Sequence, residues 1–550
     1  MVPPTRLAIV APVARSLRCC GDRTTLHHDA LARPTRGRVV TVASLRAMAS
    51  AARSVATGMA MKRGAPNDFH APLPSRADLG LDPEAGQAEA AAGEALDAGT
   101  AVVAQRLADG AITSEDLVGA CVDRILARDP GLRSIIEVNA EGLAQARAAD
   151  ERRRTGASLG PLDGIPVSVK ANISIEGMRV SAGAQILADH TAPDAELAGR
   201  LRRAGAVLLA TANLSELAGA VCRTPGTSAV GGRTMNPFGA DFTPGGSSSG
   251  SAASVAAGIV PLSVGTETSG SLIAPASFCG VVAIKPSRGL VSGEGIVPLI
   301  RFQDSAGPIA GSVAEAALLL DVISGGSTVP QHPDALADVR VGVLRADLEA
   351  QKSPLEDVAS NPELLDRLEL GLRAAGAEPV AATLPGKDAV ELGLLKVIFG
   401  GLAFDTLGYL AAAGAPVATI ADLHAYNLAD PRKRMPFGQD LLAAALVMQP
   451  TLAAYEEGAL ALRAEAAAAL DEAFDRLGGD VLVSMSNTHS AVYATAGYPA
   501  VSVPLGLRPN GMPAGATFIG RQSEDAALVA AAYAFEQATL LRARPVAQRA

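Results

Sequence analysis

Over Ala98–Ala127 and again over Gly142–Arg154, apolar residues recur at helical spacing with charges on the opposite side, which predicts two amphipathic helices. The period then changes. Pro166-Val-Ser-Val-Lys170 and Ala206-Val-Leu-Leu-Ala210 are short β-branched or apolar runs bounded by glycine, as buried strands are. The pattern next predicts a helix at Ala253–Ala257, a strand at Val281–Lys285 and a helix at Val313–Ile323. The stretch from about 340 to 480 is helix-rich, and Ala459–Leu477 is a run of strong helix formers. Strand signals return at Val481–Ser484 and Ala500–Pro504, so the chain closes back onto a sheet. No composition break separates these parts and no period repeats, which gives an α/β fold class: one large domain with a helical insertion.

The first 65 residues differ. Arginines recur there (Arg6, Arg15, Arg18, Arg23, Arg33, Arg36, Arg38, Arg46, Arg53), while the acids are confined to Asp22 and Asp29. Such a leader fits an organellar transit peptide, or an over-extended start with Met48 or Met59 as the true beginning. The expected compartment is the cytoplasm under the second reading and an organelle under the first. A net charge of -9 over 550 residues argues against a sequence-independent grip on nucleic acid. The five cysteines (19, 20, 121, 222 and 279) form no Cys-x-x-Cys pair, so neither a zinc site nor a disulfide framework is signalled. No run of about 18 apolar residues occurs, so no membrane span is expected; even Leu441–Met448 is soon broken.

The chemistry concentrates between 243 and 298. Thr243-Pro-Gly-Gly-Ser-Ser-Ser-Gly-Ser251 and Gly265-Thr-Glu-Thr-Ser-Gly-Ser-Leu-Ile-Ala-Pro-Ala276 read as two loops rich in small hydroxyl residues on either side of one short helix. Glycine lets backbone N–H groups approach a ligand, and hydroxyls supply a nucleophile or a proton relay. A flexible linker is excluded by Val255, Ile259, Val260, Leu262 and Val264, which need burial. A phosphate loop is excluded because no Gly-Lys-Ser/Thr follows either stretch. Gly246-Ser-Ser248-Ser-Gly250 also fits a nucleophile elbow, which needs a downstream histidine. Of His332, His424 and His489, only His489 suits that role, and a surface-loop residue is the simpler reading of it.

These residues resemble the amidase signature family. Gly-Gly-Ser-Ser-x-Gly-Ser, Gly-Thr-Glu-x-x-Gly-Ser, Pro-Ala and Lys285-Pro286 follow in the family's order. Gly160-Pro-Leu-Asp-Gly-Ile-Pro-Val-Ser-Val-Lys-Ala-Asn172 is similar to its lysine motif, and Gln303-Asp-Ser-Ala-Gly-Pro308, Gly497-Tyr-Pro-Ala500 and Gly511-Met-Pro-Ala-Gly515 also fit. The resemblance runs over roughly residues 80 to 545. Within the family, the peptide amidase branch is the most similar in Gly231-Gly-Arg-Thr-Met-Asn-Pro237 and Phe437-Gly-Gln-Asp-Leu-Leu442. It implies a single amidase-signature domain over 66–545, with a mixed central sheet flanked by helices on both faces and its helix-rich portion at about 340–480.

The resemblance also implies roles. Ser271 is the nucleophile, Ser247 a bridging serine on a cis peptide bond, Lys170 the base and Ser248 a supporting residue. The backbone N–H groups of Thr268, Ser269, Gly270 and Ser271 face the oxyanion. Lysine acts as a base only where its ammonium form is disfavoured, here by the apolar Val167, Val169 and Ile173. No metal and no cofactor is implied, and Cys279 reads as a small buried thiol. The partners implied are a small-molecule or peptide amide and, as one option, a second copy in a homodimer. Ala171, Thr211, Ile273 and Gly311 depart from the family's pattern, and the first two remove polar groups beside the lysine. Two further readings therefore stand beside an amide hydrolase: a scaffold that keeps the fold without its activity, and the amide-releasing component of a tRNA-dependent amidotransferase.

Overall fold

The computed structural model describes residues 73–82, 87–326, 332–448 and 450–545; the arginine-rich leader lies outside them. Eleven strands form one sheet: β1 (Ile135–Val138), β2 (Pro166–Lys170), β3 (Val207–Ala212), β4 (Leu262–Glu267), β5 (Val282–Lys285), β6 (Ser305–Ala310), β7 (Arg340–Val343), β8 (Glu378–Ala381), β9 (Val481–Met485), β10 (Ala500–Leu507) and β11 (Pro513–Gly520). Their spatial order is β1-β3-β2-β4-β6-β5-β10-β11-β9-β7-β8. The β3-β2-β4 and β9-β7-β8 groups pair in parallel, and the remaining neighbours are antiparallel, so the sheet is mixed.

Alternate residues of the central strands enter different cores. Leu208, Val282 and Ile284 join a cluster with the helices Val313–Ser324 and Asp525–Thr539, whereas Val207, Leu209 and Ala283 join one with Ala252, Ala253 and Val255. Helices therefore cover both faces, which is why these strands read as nearly continuous apolar runs. A third cluster holds the long helix Leu452–Leu477 against Lys387–Gly401 and Ser490–Ala496.

Three sequence expectations change. The helix expected over Ala98–Ala127 is broken: one helix ends at Ala108 and another begins at Ser114. Gly110 has φ +69°, and Thr113 caps the second helix in a reciprocal capping box with Asp116, a local stop and start that outweighs the apolar period. The helix-rich portion also carries the parallel strands β7 and β8. Finally, the second hydroxyl-rich loop is shorter than it reads. Its first half is β4 and its end is the helix Ile273–Cys279, leaving Thr268–Leu272 as the loop.

Candidate active site

Lys170 ends β2 with no exposed surface, and its neighbour Ser168 donates a hydroxyl to Ser263 on β4 at 2.8 Å. Val167, Val169 and Ile173 belong to the main core. Alternation along the strand turns Lys170 with Ser168 to the other face, so those three residues do not wrap the ammonium as expected. Three oxygens surround Nζ instead: Ser247 Oγ at 2.7 Å, Thr266 Oγ1 at 2.7 Å and Thr266 O at 3.2 Å. Asn172 Nδ2 donates to Thr266 Oγ1 at 3.1 Å and fixes that hydroxyl. Burial pushes Lys170 down to about 7, against the upward pull of the Asp304 and Glu267 carboxylates.

Ser247 lies on a cis peptide bond with Gly246, and its carbonyl accepts the N–H of Ser215 at 3.0 Å. Ser248 locks this loop to the sheet: its hydroxyl donates to Thr266 O at 2.9 Å and accepts the Thr266 N–H at 3.2 Å. Its own N–H donates to the Ser271 carbonyl at 3.1 Å, which ties both hydroxyl-rich loops together. A helix starts immediately afterwards, at Ser249, and Gly250 sits where an added Cβ would meet Ser134 O at 2.3 Å and Asn213 N at 2.4 Å. Only glycine lets that turn seat.

Ser271 is 7% exposed and opens the helix Ile273–Cys279. The buried Glu267 carboxylate accepts the N–H groups of Leu272 at 2.8 Å and Ile273 at 3.1 Å, and it also faces the Gly270 amide. Among the described residues, the N–H groups of Ser269 and Ser271 have no acceptor. Thr268 is held from its other side, its hydroxyl donating to Asp304 and its carbonyl accepting from Gln303. Asp304 also accepts the N–H groups of Leu299 and Ile300 at 2.7 and 3.0 Å; burial pushes its carboxyl up to about 6 against those bonds.

The departures from the pattern resolve locally. Ala171 packs with Ile136 and Leu214 and leaves all three partners of Lys170 in place. Thr211 pairs with Val169, on the face away from Lys170. Ile273 is buried and gives its N–H to Glu267. At Gly311, an added Cβ would lie 2.4 Å from the Arg542 guanidinium, so an arginine from the C-terminal segment fills that space.

His489 is not a surface-loop residue. It is 1% exposed, pairing Nδ1 with Ser484 at 2.6 Å and Nε2 with Asp347 at 3.3 Å, and it bonds none of the loop serines. His332 is exposed and His424 lies in the helix Ile420–Leu428. Cys279 is buried, and burial pushes its thiol far above the usual range. No metal-binding cluster of His, Cys, Asp and Glu occurs among the described residues, and no described helix is long and apolar enough to cross a membrane. Reading the motifs assigned no role to Thr266, Glu267, Asn172 or Asp304, although all four lie within or beside them. Only the fold shows that they converge.

Known proteins carry the same arrangement of sequence and fold. The family profile described as Amidase matches residues 116–398. A probable amidase of Arabidopsis thaliana is 34% identical over 457 residues, 79% of this chain and 88% of that protein. The A subunit of glutamyl-tRNA(Gln) amidotransferase from Synechococcus sp. (strain CC9605) is 32% identical over 490 residues, 80% of this chain and 97% of that one. The native peptide amidase of Stenotrophomonas maltophilia superimposes with a TM-score of 0.74 at 36% identity, covering 82% of this chain and 98% of that structure. The eleven-stranded sheet and its flanking helices are thus a single amidase-signature domain, and this chain belongs to the amidase family.

Proposed function

We propose that this protein hydrolyses a peptide-like or small carboxamide to the carboxylic acid and ammonia or an amine, through an acyl-enzyme on Ser271. The carrying observation is the surroundings of Lys170. A neutral amine has two N–H donors and one lone pair. Nζ meets two oxygens of Thr266, which take the donors, and the Ser247 hydroxyl, which gives its proton to the lone pair. Burial favours that neutral form at physiological pH.

Ser271 Oγ attacks the amide carbonyl as its proton passes to Ser247, and the Ser247 proton passes to Lys170. The oxyanion faces the N–H groups of Thr268, Ser269 and Ser271, whereas Gly270, expected to join them, gives its N–H to the Glu267 carboxylate; removing one such donor typically costs about 3 kcal/mol. Collapse breaks the carbon–nitrogen bond, and the relay returns the proton to the departing nitrogen. Water then attacks the acyl group by the same route and frees Ser271. Glu267 supports the reading because it anchors the amides that follow Ser271.

The test is release of acid from a panel of peptide, aliphatic, aryl and fatty-acid amides, with Ser271→Ala as blank. A folded wild type that releases no more acid than this blank from any of them refutes the proposal. Similarity over nearly the whole length of an amidotransferase component favours a second reading, in which the same serine frees ammonia for a partner protein. Copurifying partners that stimulate glutamine hydrolysis would select it. A scaffold would show serine labelling without turnover on any amide; the intact oxygen set around Lys170 argues against it.

A further inference from the structure

The segment Ser486–Ser490 packs against the residue that precedes Ser271. A Cβ added to Gly270 would meet Asn487 Nδ2 and Ser490 Oγ, each at 2.9 Å, and Ser490 Oγ accepts from the Ser269 hydroxyl at 3.4 Å. Asn487 is half-buried there, and its side-chain amide has no hydrogen-bond partner among the described residues. The backbone on either side of it, in contrast, is held in place. Ser486 takes a left-handed φ of +49°, donates its N–H to Gly515 O at 2.9 Å and accepts the Thr517 hydroxyl. Asn487 O accepts the Ser490 N–H at 3.0 Å, and His489 is anchored through both ring nitrogens to Ser484 and Asp347. A non-glycine residue at positive φ is sparsely populated and persists only where its surroundings over-determine it, which is common beside functional sites. A rigid mount that carries an unpartnered amide to the nucleophile loop has the construction of a recognition group.

We propose that Asn487 is a specificity-determining residue, whose amide binds a second, neutral amide of the substrate next to the scissile one. This rests on the serine hydrolase reading above. A side-chain amide both donates and accepts, so it matches an uncharged amide better than an alkyl chain or a charged group. The buried His489 then acts as a positioning residue for the segment and takes no proton from the substrate.

The experiment compares kcat/KM for N-acetylglycinamide with that for hexanamide, an analogue without the internal amide, in wild type, Asn487→Ala and the bulkier Asn487→Leu. The expected result is a fall of about tenfold in the ratio of the two values in both variants, as loss of one neutral hydrogen bond gives. A ratio unchanged from wild type, whether both activities fall together or neither falls, overturns the assignment, since a packing role affects both substrates alike. Failure of the underlying reading shows differently: wild type itself is then inert toward both amides and toward a fluorophosphonate.

Discussion

Lowering the pH from 8 to 5 perturbs the proposed base directly. An ordinary lysine at 10.5 is neutral in about one molecule in 3,000 at pH 7, whereas Lys170, pushed down by burial to about 7, is neutral in about half. Desolvation thus supplies roughly 1,500 times more base, about 4 kcal/mol. With a fixed midpoint the neutral fraction falls roughly 90-fold between pH 8 and pH 5, which sets the upper bound on the fall of kcat/KM on an uncharged amide. Two carboxylates oppose burial, Asp304 before Glu267. Asp304→Asn keeps an acceptor for Leu299 and Ile300 but removes a negative charge, so it moves the midpoint to lower pH. Asp304 itself, pushed up by burial to about 6, loses its charge as the pH falls. Lys170 then resists protonation more, and the limb flattens below pH 6. The assay is a set of initial rates in overlapping buffers, with far-UV circular dichroism to exclude unfolding. A midpoint above about 9, a rate independent of pH between 5 and 8, or an upward shift in Asp304→Asn refutes the assignment of Lys170 as base.

Stability carries the same signature. A lysine whose folded pKa is depressed costs stability fully below about 7, and that cost fades as the pH rises toward 10.5; the stability difference between Lys170→Met and wild type therefore shifts by about 4 kcal/mol between pH 7 and 10.5 in favour of wild type, by denaturant titration. In Gly270→Ala, the added Cβ collides with Asn487 and Ser490 at φ +79°; a loss of at least about 1 kcal/mol in stability and a larger loss of kcat are expected from melting and rate measurements. His489→Ala lowers the melting temperature, because the buried Ser484 and the half-buried Asp347 lose their bond, but Ser271 still reacts with a fluorophosphonate. Loss of labelling in a folded His489→Ala protein would instead favour a histidine-based hydrolase.

The period of the apolar residues located β2, β3, β5, β9 and β10 because each is buried on both faces and bounded by glycine or proline. It missed β1, β7, β8 and β11, and with them β4 and β6, where Gly265 and Thr266 read as loop residues and Ser305–Pro308 stood out only as part of a motif. The strand character of β4 and β6 comes from long-range pairing, Leu262 with Ala310 through Glu267 with Ser305, which no local signal records. The site shows the same division. Ser247, Ser271 and Lys170 stood out through ordered motifs. The carboxylates that shape the loop did not: Asp304 reaches it across 36 positions of chain, and Glu267 takes the loop's N–H groups from the end of a strand whose residues carry no strand signal. His489 looked like a loop residue because serine, asparagine and threonine surround it, yet Asp347, far away in sequence, buries it.

Mapping the covalent adduct tests the acyl-enzyme most directly. After reaction with a fluorophosphonate, peptide mass spectrometry is expected to place one adduct on Ser271, absent from Ser271→Ala and formed at least a hundredfold more slowly at pH 7 in Lys170→Met. An adduct on Ser248, or a labelling rate unaffected by loss of Lys170, would contradict it.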